Sequence, residues 1–107
     1  MLLPGGVNVE RIDNYGSTAL HAAAYYGHLN VCRLLLDWGA KVDPLDNWKD
    51  TPLHEAARKG HLSVVKLLVE RGADVGAKNY KNQTVSDVAQ KAGNEVVVKC
   101  LDSVSHG

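Results

Sequence analysis

The sequence predicts an all-α solenoid of stacked helix-turn-helix units joined by exposed turns. A self-similar segment recurs every 33 residues without a gap, and each full copy holds two apolar runs at helical spacing. The chain has 107 residues, of which 45% are hydrophobic, and this suffices for one small core but not for two. We therefore expect a single cooperative unit.

The repeat becomes visible when residues 13–45 are laid over residues 46–78. The two segments share threonine, histidine and glycine at matching positions: Thr18 and Thr51, His21 and His54, Gly27 and Gly60, and Gly39 and Gly72. A shorter third copy starts at Asn79, and Gly6, Val9 and Ile12 match only the end of a copy. We divide the chain into the tail of a preceding repeat (1–12), two full repeats (13–45 and 46–78) and a C-terminal capping repeat (79–107).

The start of each full repeat carries the most specific motif. It is Thr51-Pro52-Leu53-His54-Glu55-Ala56 in one copy and Thr18-Ala19-Leu20-His21-Ala22-Ala23 in the other. Both resemble the T-P-L-H-x-A signature of ankyrin repeats, and the resemblance extends over nearly the whole chain. It implies an ankyrin-repeat solenoid with β-turn or hairpin fingers, in which the signature histidine hydrogen-bonds the backbone between repeats.

The residue types at the helix ends agree with this fold. Thr18 and Thr51 can cap the first helix of each repeat, and Pro52 stands at the first helical position, where its missing N–H is not needed. Gly27 and Gly60 suit a left-handed residue at the end of that helix.

The exposed turn contains one unusual substitution. Gly16 is replaced by Lys49 and Asn82 in the next two copies. Asparagine tolerates a positive φ, but Lys49 would carry about 1 kcal/mol of strain if the turn keeps its shape.

The two ends of the repeat array differ in polarity. Apolar positions of the interior become polar in the last repeat, as Leu53 becomes Ser86 and Leu62 becomes Glu95, which is typical of the outer face of a terminal repeat. The repeat from Asp13 keeps a fully apolar set. We expect that the chain is part of a longer array, or that a partner or a second copy covers this end, and that this end is the less stable one.

Composition excludes several functional classes. The formal net charge is zero, which argues against a nucleic-acid footprint over the whole chain. The weakly polar stretches are too short for a membrane span, and the first residues do not resemble a secretory signal. Cys32 and Cys100 cannot form a disulfide framework. We expect a reduced protein in the cytoplasm or nucleus.

The histidines and cysteines do not indicate chemistry. His21 and His54 belong to the repeat signature, while His28 and His61 lie in adjacent repeats without cysteine at zinc-finger spacing. Cys32 lies within an apolar helical pattern, where a nucleophile would lack its base. We predict no enzymatic activity, no metal and no cofactor.

Binding is instead expected in the concave groove and at the turn tips, where side chains differ between repeats. The residues selected there are aromatic or basic: Tyr15, Tyr25, Tyr26, Trp48, Arg58, Lys59, Tyr80 and Lys81. Trp38 is a further candidate for this surface. As an alternative, Tyr25, Tyr26 and Trp38 could pack against a missing N-terminal neighbour, and the lysines could be solvated surface. Aromatic and arginine side chains are frequent binding hot spots. An aromatic half beside a basic half favours a protein or peptide with apolar anchors next to acidic or phosphorylated residues.

The sequence thus predicts a non-catalytic protein-interaction module. Two alternatives remain open. The chain could be a structural or regulatory segment of a larger protein that has an enzyme domain elsewhere, or a small protein similar to the kinase inhibitors built from ankyrin repeats. Fold alone does not choose among them.

Overall fold

The computed structural model describes residues 2–3, 7–8 and 10–105, with side chains described from Glu10 to Val104. Gly6 and Val9, which the repeat alignment used, lie outside the described residues. Two short strands and six helices are described: β1 (Leu2–Leu3), β2 (Val7–Asn8), α1 (Ala19–Tyr26), α2 (Leu29–Asp37), α3 (Pro52–Lys59), α4 (Leu62–Glu70), α5 (Val85–Lys91) and α6 (Glu95–Ser105). The strands pair antiparallel, with Leu2 opposite Asn8 and Leu3 opposite Val7.

The helices form two layers, as the sequence predicts. The first helices of the repeats, α1, α3 and α5, pack side by side in one row, and the second helices, α2, α4 and α6, form the other row. Each first helix also packs on the second helix of its own repeat. The predicted helical solenoid is confirmed. The helix pairs fall within the predicted ranges, while the division of the chain at residues 12, 45 and 78 stays a prediction.

The predicted helix caps are present. The hydroxyls of Thr18 and Thr51 accept hydrogen bonds from the backbone N–H groups of His21 and His54, at 3.3 and 3.2 Å. In return, each histidine Nδ1 accepts the N–H of the capping threonine at 3.1 Å. Pro52 occupies the start of α3. Histidine thus takes the place that glutamate has in a common capping box, which ties the ring to the start of its own helix.

The same histidines connect neighbouring repeats. Because Nδ1 accepts a hydrogen bond, the proton of the neutral ring lies on Nε2, which therefore donates. Nε2 of His21 donates to the Asp50 carbonyl at 2.8 Å, and Nε2 of His54 donates to the Gln83 carbonyl at 3.1 Å. The predicted contact from the signature histidine to backbone of the next repeat is confirmed.

A second row of inter-repeat hydrogen bonds was not predicted. Nε2 of His61 lies 3.0 Å from the Tyr25 carbonyl, and Nδ2 of Asn94 donates to the Ala57 carbonyl at 2.7 Å. Gly27 is required beside this contact for two reasons. Its φ is +72°, and a Cβ there would lie 2.7 Å from the His61 ring.

The exposed turns have the same geometry in all three copies. Asp13, Asp46 and Asn79 each accept two backbone N–H groups of their own turn through Oδ1, at 2.8 to 3.1 Å. The residue three positions later has a positive φ: +73° at Gly16, +60° at Lys49 and +62° at Asn82. Lys49 therefore has the left-handed backbone conformation that the sequence predicts, and this conformation is strained for a residue other than glycine.

The two ends of the stack differ as expected. Val31 of α2 is 44% exposed, whereas the matching Val64 and Val97 are 1% and 2% exposed. At the other end, the polar replacement Glu95 is exposed and Ser86 is half-buried, and Gln90, which matches Ala57 of the preceding repeat, is exposed. The first repeat thus presents to solvent an apolar face that later repeats bury. None of the described helices is long and apolar enough to cross a membrane.

Candidate functional site

The turn tips of the two full repeats hold a pair of stacked aromatic rings. The turns are joined by a hydrogen bond from Asn47 N–H to the Tyr15 carbonyl, at 2.9 Å. This places the Tyr15 and Trp48 rings with centroids 5.7 Å apart at an interplanar angle of 28°. Both side chains are exposed, Tyr15 by 60% and Trp48 by 42%. The indole of Trp48 therefore packs on the ring of Tyr15.

Behind this pair lies a concave groove between the first two repeats, with a volume of about 540 Å³. We call it the inter-repeat groove. Tyr25 and Tyr26 also line it, from the end of α1. Their rings meet edge to face with centroids 4.9 Å apart. The structure therefore brings together four of the predicted aromatic site residues along one depression.

The charge of this groove differs from the sequence-based interpretation. Four carboxylates line it, those of Asp13, Asp46, Asp50 and Glu55. The one arginine among its lining residues, Arg58, donates to Glu55 and, at 3.2 Å, to Asp50. Arg58 was assigned to a basic half of the surface. In this groove its guanidinium pairs with two carboxylates of the protein itself, and its role in partner binding stays a prediction.

The pKa values of this cluster reflect its burial and charge. Burial raises the pKa of the Glu55 carboxyl, and the Arg58 guanidinium opposes this shift. Burial lowers the pKa of Arg58, but Asp50 and Glu55 outweigh it and hold that pKa above its usual value. Arg58 is thus a fixed cation within an acidic groove.

Lys59 lies at the rim of the same groove. Its Nζ stands 5.1 Å from the centroid of the Tyr25 ring. A cation at this distance over an aromatic face is attracted by the ring quadrupole. The predicted site residues Tyr25 and Lys59 are therefore in contact with each other.

Basic side chains at the cap form a second, smaller depression of about 270 Å³ beside α5. We call it the basic pocket. The predicted site residue Lys81 lines it together with Lys91, Gln83 and Arg58. Tyr80 is exposed at the neighbouring turn tip, with the Nζ of Lys81 5.7 Å from its ring centroid. The two depressions are adjacent because Arg58 lines both.

Sequence reasoning missed the carboxylates and did not decide the position of one tryptophan. The repeated aspartate at positions 13 and 46, next to the aromatic tip residues, was the available signal. For Trp38, the sequence left both the groove and packing within the repeat array open. Trp38 follows α2, where it is half-buried and packs against the hydrophobic core.

The surroundings of Cys32 do not favour a nucleophilic role. Cys32 is fully buried in the core, and burial raises the pKa of its thiol to about 11, so the nucleophilic thiolate is disfavoured. Among the residues with described side chains, one cluster of three carboxylates lies close enough together to bind a cation: Asp46, Asp50 and Glu55. The Arg58 guanidinium already binds two of these carboxylates. The absence of a bound metal stays a prediction.

A comparison with protein families agrees with the repeat pattern. The family model described as ankyrin repeats, in three copies, matches residues 1–79 and 40–103. The two matches overlap and together reach from the first residue into α6.

Proposed function

Because the chain belongs to the ankyrin-repeat family, whose members are generally non-catalytic modules that bind proteins, we propose that it binds a partner segment through the inter-repeat groove and the turn tips. The Tyr15–Trp48 pair carries this proposal. Two large rings at the mouth of a concave groove offer apolar area at low entropic cost, which is typical of binding hot spots.

The basic pocket supplies the second half of the proposed site. Lys81 and Lys91 are exposed there. An acidic or phosphorylated residue of the partner would pair with these ammonium groups. The partner segment therefore places an apolar anchor among the aromatic side chains of the inter-repeat groove and an anionic residue at the cap.

Replacement of Trp48 tests the position of the binding surface. Random dodecapeptides displayed on phage are selected on the immobilised full chain, and the selected peptides are titrated against Trp48→Ala and Trp48→Phe. We expect Trp48→Ala to weaken binding by about 30-fold, equivalent to roughly 2 kcal/mol, and Trp48→Phe to retain most of it. Loss of the contact with Tyr15 should cost about 1 kcal/mol of folding stability.

The chain carries its own controls for this experiment. Val96→Ala removes an exposed apolar side chain on α6, away from the groove, and should leave peptide affinity unchanged. In ¹H–¹⁵N spectra, peptide should shift the indole resonance of Trp48 and not that of Trp38, which packs on the core. Unchanged affinity for Trp48→Ala would place the binding surface elsewhere.

We propose a second contact surface at the exposed face of the first repeat. Val31 and Leu34 are exposed there, while their equivalents Val64 and Leu67 are buried against the preceding repeat. A further repeat on the N-terminal side would cover this face in the same way. Self-association is the alternative, and sedimentation of the chain over a range of concentrations distinguishes the two.

An intracellular location is also part of the proposal. Both cysteines are free thiols, and Cys32 is fully buried in the core. Free thiols are ordinary in the reducing cytoplasm and nucleus. Fluorescence microscopy of a tagged chain tests this, and accumulation in the secretory pathway would contradict it.

A further inference from the structure

We propose that the inter-repeat groove selects a partner segment carrying an arginine, whose guanidinium lies against the Tyr15–Trp48 pair and binds the carboxylates of Asp13 and Asp46. This inference rests on the proposed function and defines the chemistry of the residue beside the apolar anchor. It adds a cationic residue to the anionic one that the basic pocket would take.

The first support is the position of the two carboxylates. Each aspartate begins a turn and accepts the N–H of the aromatic residue at its tip: Asp13 binds Tyr15 at 2.8 Å and Asp46 binds Trp48 at 2.9 Å. These bonds use Oδ1. Within residues 10–105, Oδ2 of each aspartate makes no hydrogen bond. Two carboxylates that can still accept therefore lie at the base of the turns that carry the stacked rings.

The second support is the net charge of the groove. Four carboxylates line it against one guanidinium, so the lining carries three more negative than positive formal charges. Lys59 at the rim offsets one of these charges, and its ammonium is already placed over Tyr25. An anion would meet Asp50 and Glu55, which bind Arg58. Charge complementarity thus favours a cation at this end of the site.

The combination of rings and carboxylates favours arginine among the cationic side chains. A guanidinium is planar, so it can stack on an aromatic face while its edge donates to a carboxylate. An ammonium is a compact and strongly hydrated charge that matches this arrangement less well. The groove is also open, which suits a side chain that projects from an extended segment.

The neighbouring basic pocket fixes the expected spacing. Adjacent helices pack about 8–10 Å apart, and an extended chain advances about 3.3 Å per residue. The arginine and the acidic or phosphorylated residue of the partner should therefore be separated by about three residues. A segment bound in this way has one orientation, because reversing it would place like charges together.

The test uses the dodecapeptides selected on the full chain. We expect arginine to be enriched at one position and a selected peptide to lose about tenfold in affinity when that arginine is replaced by citrulline, its neutral isostere. The double variant Asp13→Asn with Asp46→Asn should lose a similar factor and discriminate poorly between the two peptides. Asn79 already makes the same turn bonds through Oδ1, so asparagine preserves the fold at both positions.

A matched variant controls for net charge. Glu70→Gln with Asp102→Asn removes two negative charges from exposed positions on α4 and α6, and should bind as the wild type does. Peptides that depend on Trp48 but show no arginine enrichment, or that bind the double aspartate variant with unchanged affinity, would overturn the arginine assignment alone. Peptides insensitive to Trp48→Ala would overturn the proposed function itself.

Discussion

The exposed face of the first repeat allows one substitution to be compared at equivalent positions of the same chain. Val31 and Val64 occupy the same place in consecutive second helices, but Val31 is 44% exposed and Val64 is 1% exposed. Valine to alanine removes two carbon groups, worth about 1.6 kcal/mol of transfer free energy when fully buried. The cavity left at Val64 brings the cost to about 2.5 kcal/mol.

The cost at Val31 should be much smaller. Just over half of the side chain is removed from water, which corresponds to about 0.9 kcal/mol, and the space left opens to solvent rather than forming a cavity. Alanine has a higher helix propensity than valine, which stabilises the helix by about 0.5 kcal/mol at both positions. We therefore expect net losses of about 2 kcal/mol for Val64→Ala and about 0.5 kcal/mol for Val31→Ala.

Urea denaturation followed by circular dichroism measures both values, with the same concentration of trimethylamine N-oxide added to all samples if Val64→Ala is partly unfolded. Hydrogen exchange gives a second measurement, since amides of α1 should be less protected than those of α3. Equal losses of stability for the two variants, or equal protection of α1 and α3 from hydrogen exchange, would contradict the inference that one face of the first repeat is uncovered. A loss at Val31→Ala that grows with protein concentration would show that a second copy covers this face.

Three further predictions concern strain, protonation and metals. Lys49→Gly should raise the free energy of unfolding by about 0.5–1 kcal/mol. A non-glycine residue in the left-handed conformation costs about 1–2 kcal/mol, and the greater entropy of glycine in the unfolded chain offsets part of the gain. A lower melting temperature of the variant would contradict this. Burial lowers the pKa of His54 in the folded protein, so this histidine is protonated at a higher pH in the unfolded chain than in the folded one. The free energy of unfolding should therefore fall as the pH drops below about 6.5 towards the pKa of the folded state. His54→Gln should flatten this dependence, by at most about 1.4 kcal/mol per pH unit, and an unchanged slope would assign the effect to other groups. Addition of EDTA or of Mg²⁺ should leave the melting temperature unchanged, and a shift of several degrees would indicate a metal at Asp46, Asp50 and Glu55.

Most of the fold could be predicted from the sequence because its determinants are local and repeat along the chain. A threonine cap, a glycine with positive φ and apolar residues at helical spacing each act within one turn of helix. The same reasoning predicted the conformation of Lys49, since its position matches Gly16. Polar replacements such as Gln90 and Glu95 also identified the outer face of the last repeat.

The candidate site was predictable only in part. The repeat register correctly placed Tyr15, Trp48, Tyr25 and Tyr26 on one surface, because residues at matching positions stack in space. It gave no information on which charges would meet. Arg58 stands next to Lys59 in the sequence, yet the fold brings it against Asp50, eight residues earlier, and Glu55, one turn before it.

The sequence by itself determined the number of helical units, their caps and the surface on which the aromatic residues gather, because each depends on a periodic or short-range pattern. Only the tertiary structure decided the sign of the net charge in the inter-repeat groove and the position of Trp38. Electrostatic character depends on the distances between charged side chains, and chain order does not give these distances for side chains on different elements. The acidic groove arises because stacking aligns Asp13 with Asp46 and the pairing with Arg58 places Asp50 and Glu55 beside them.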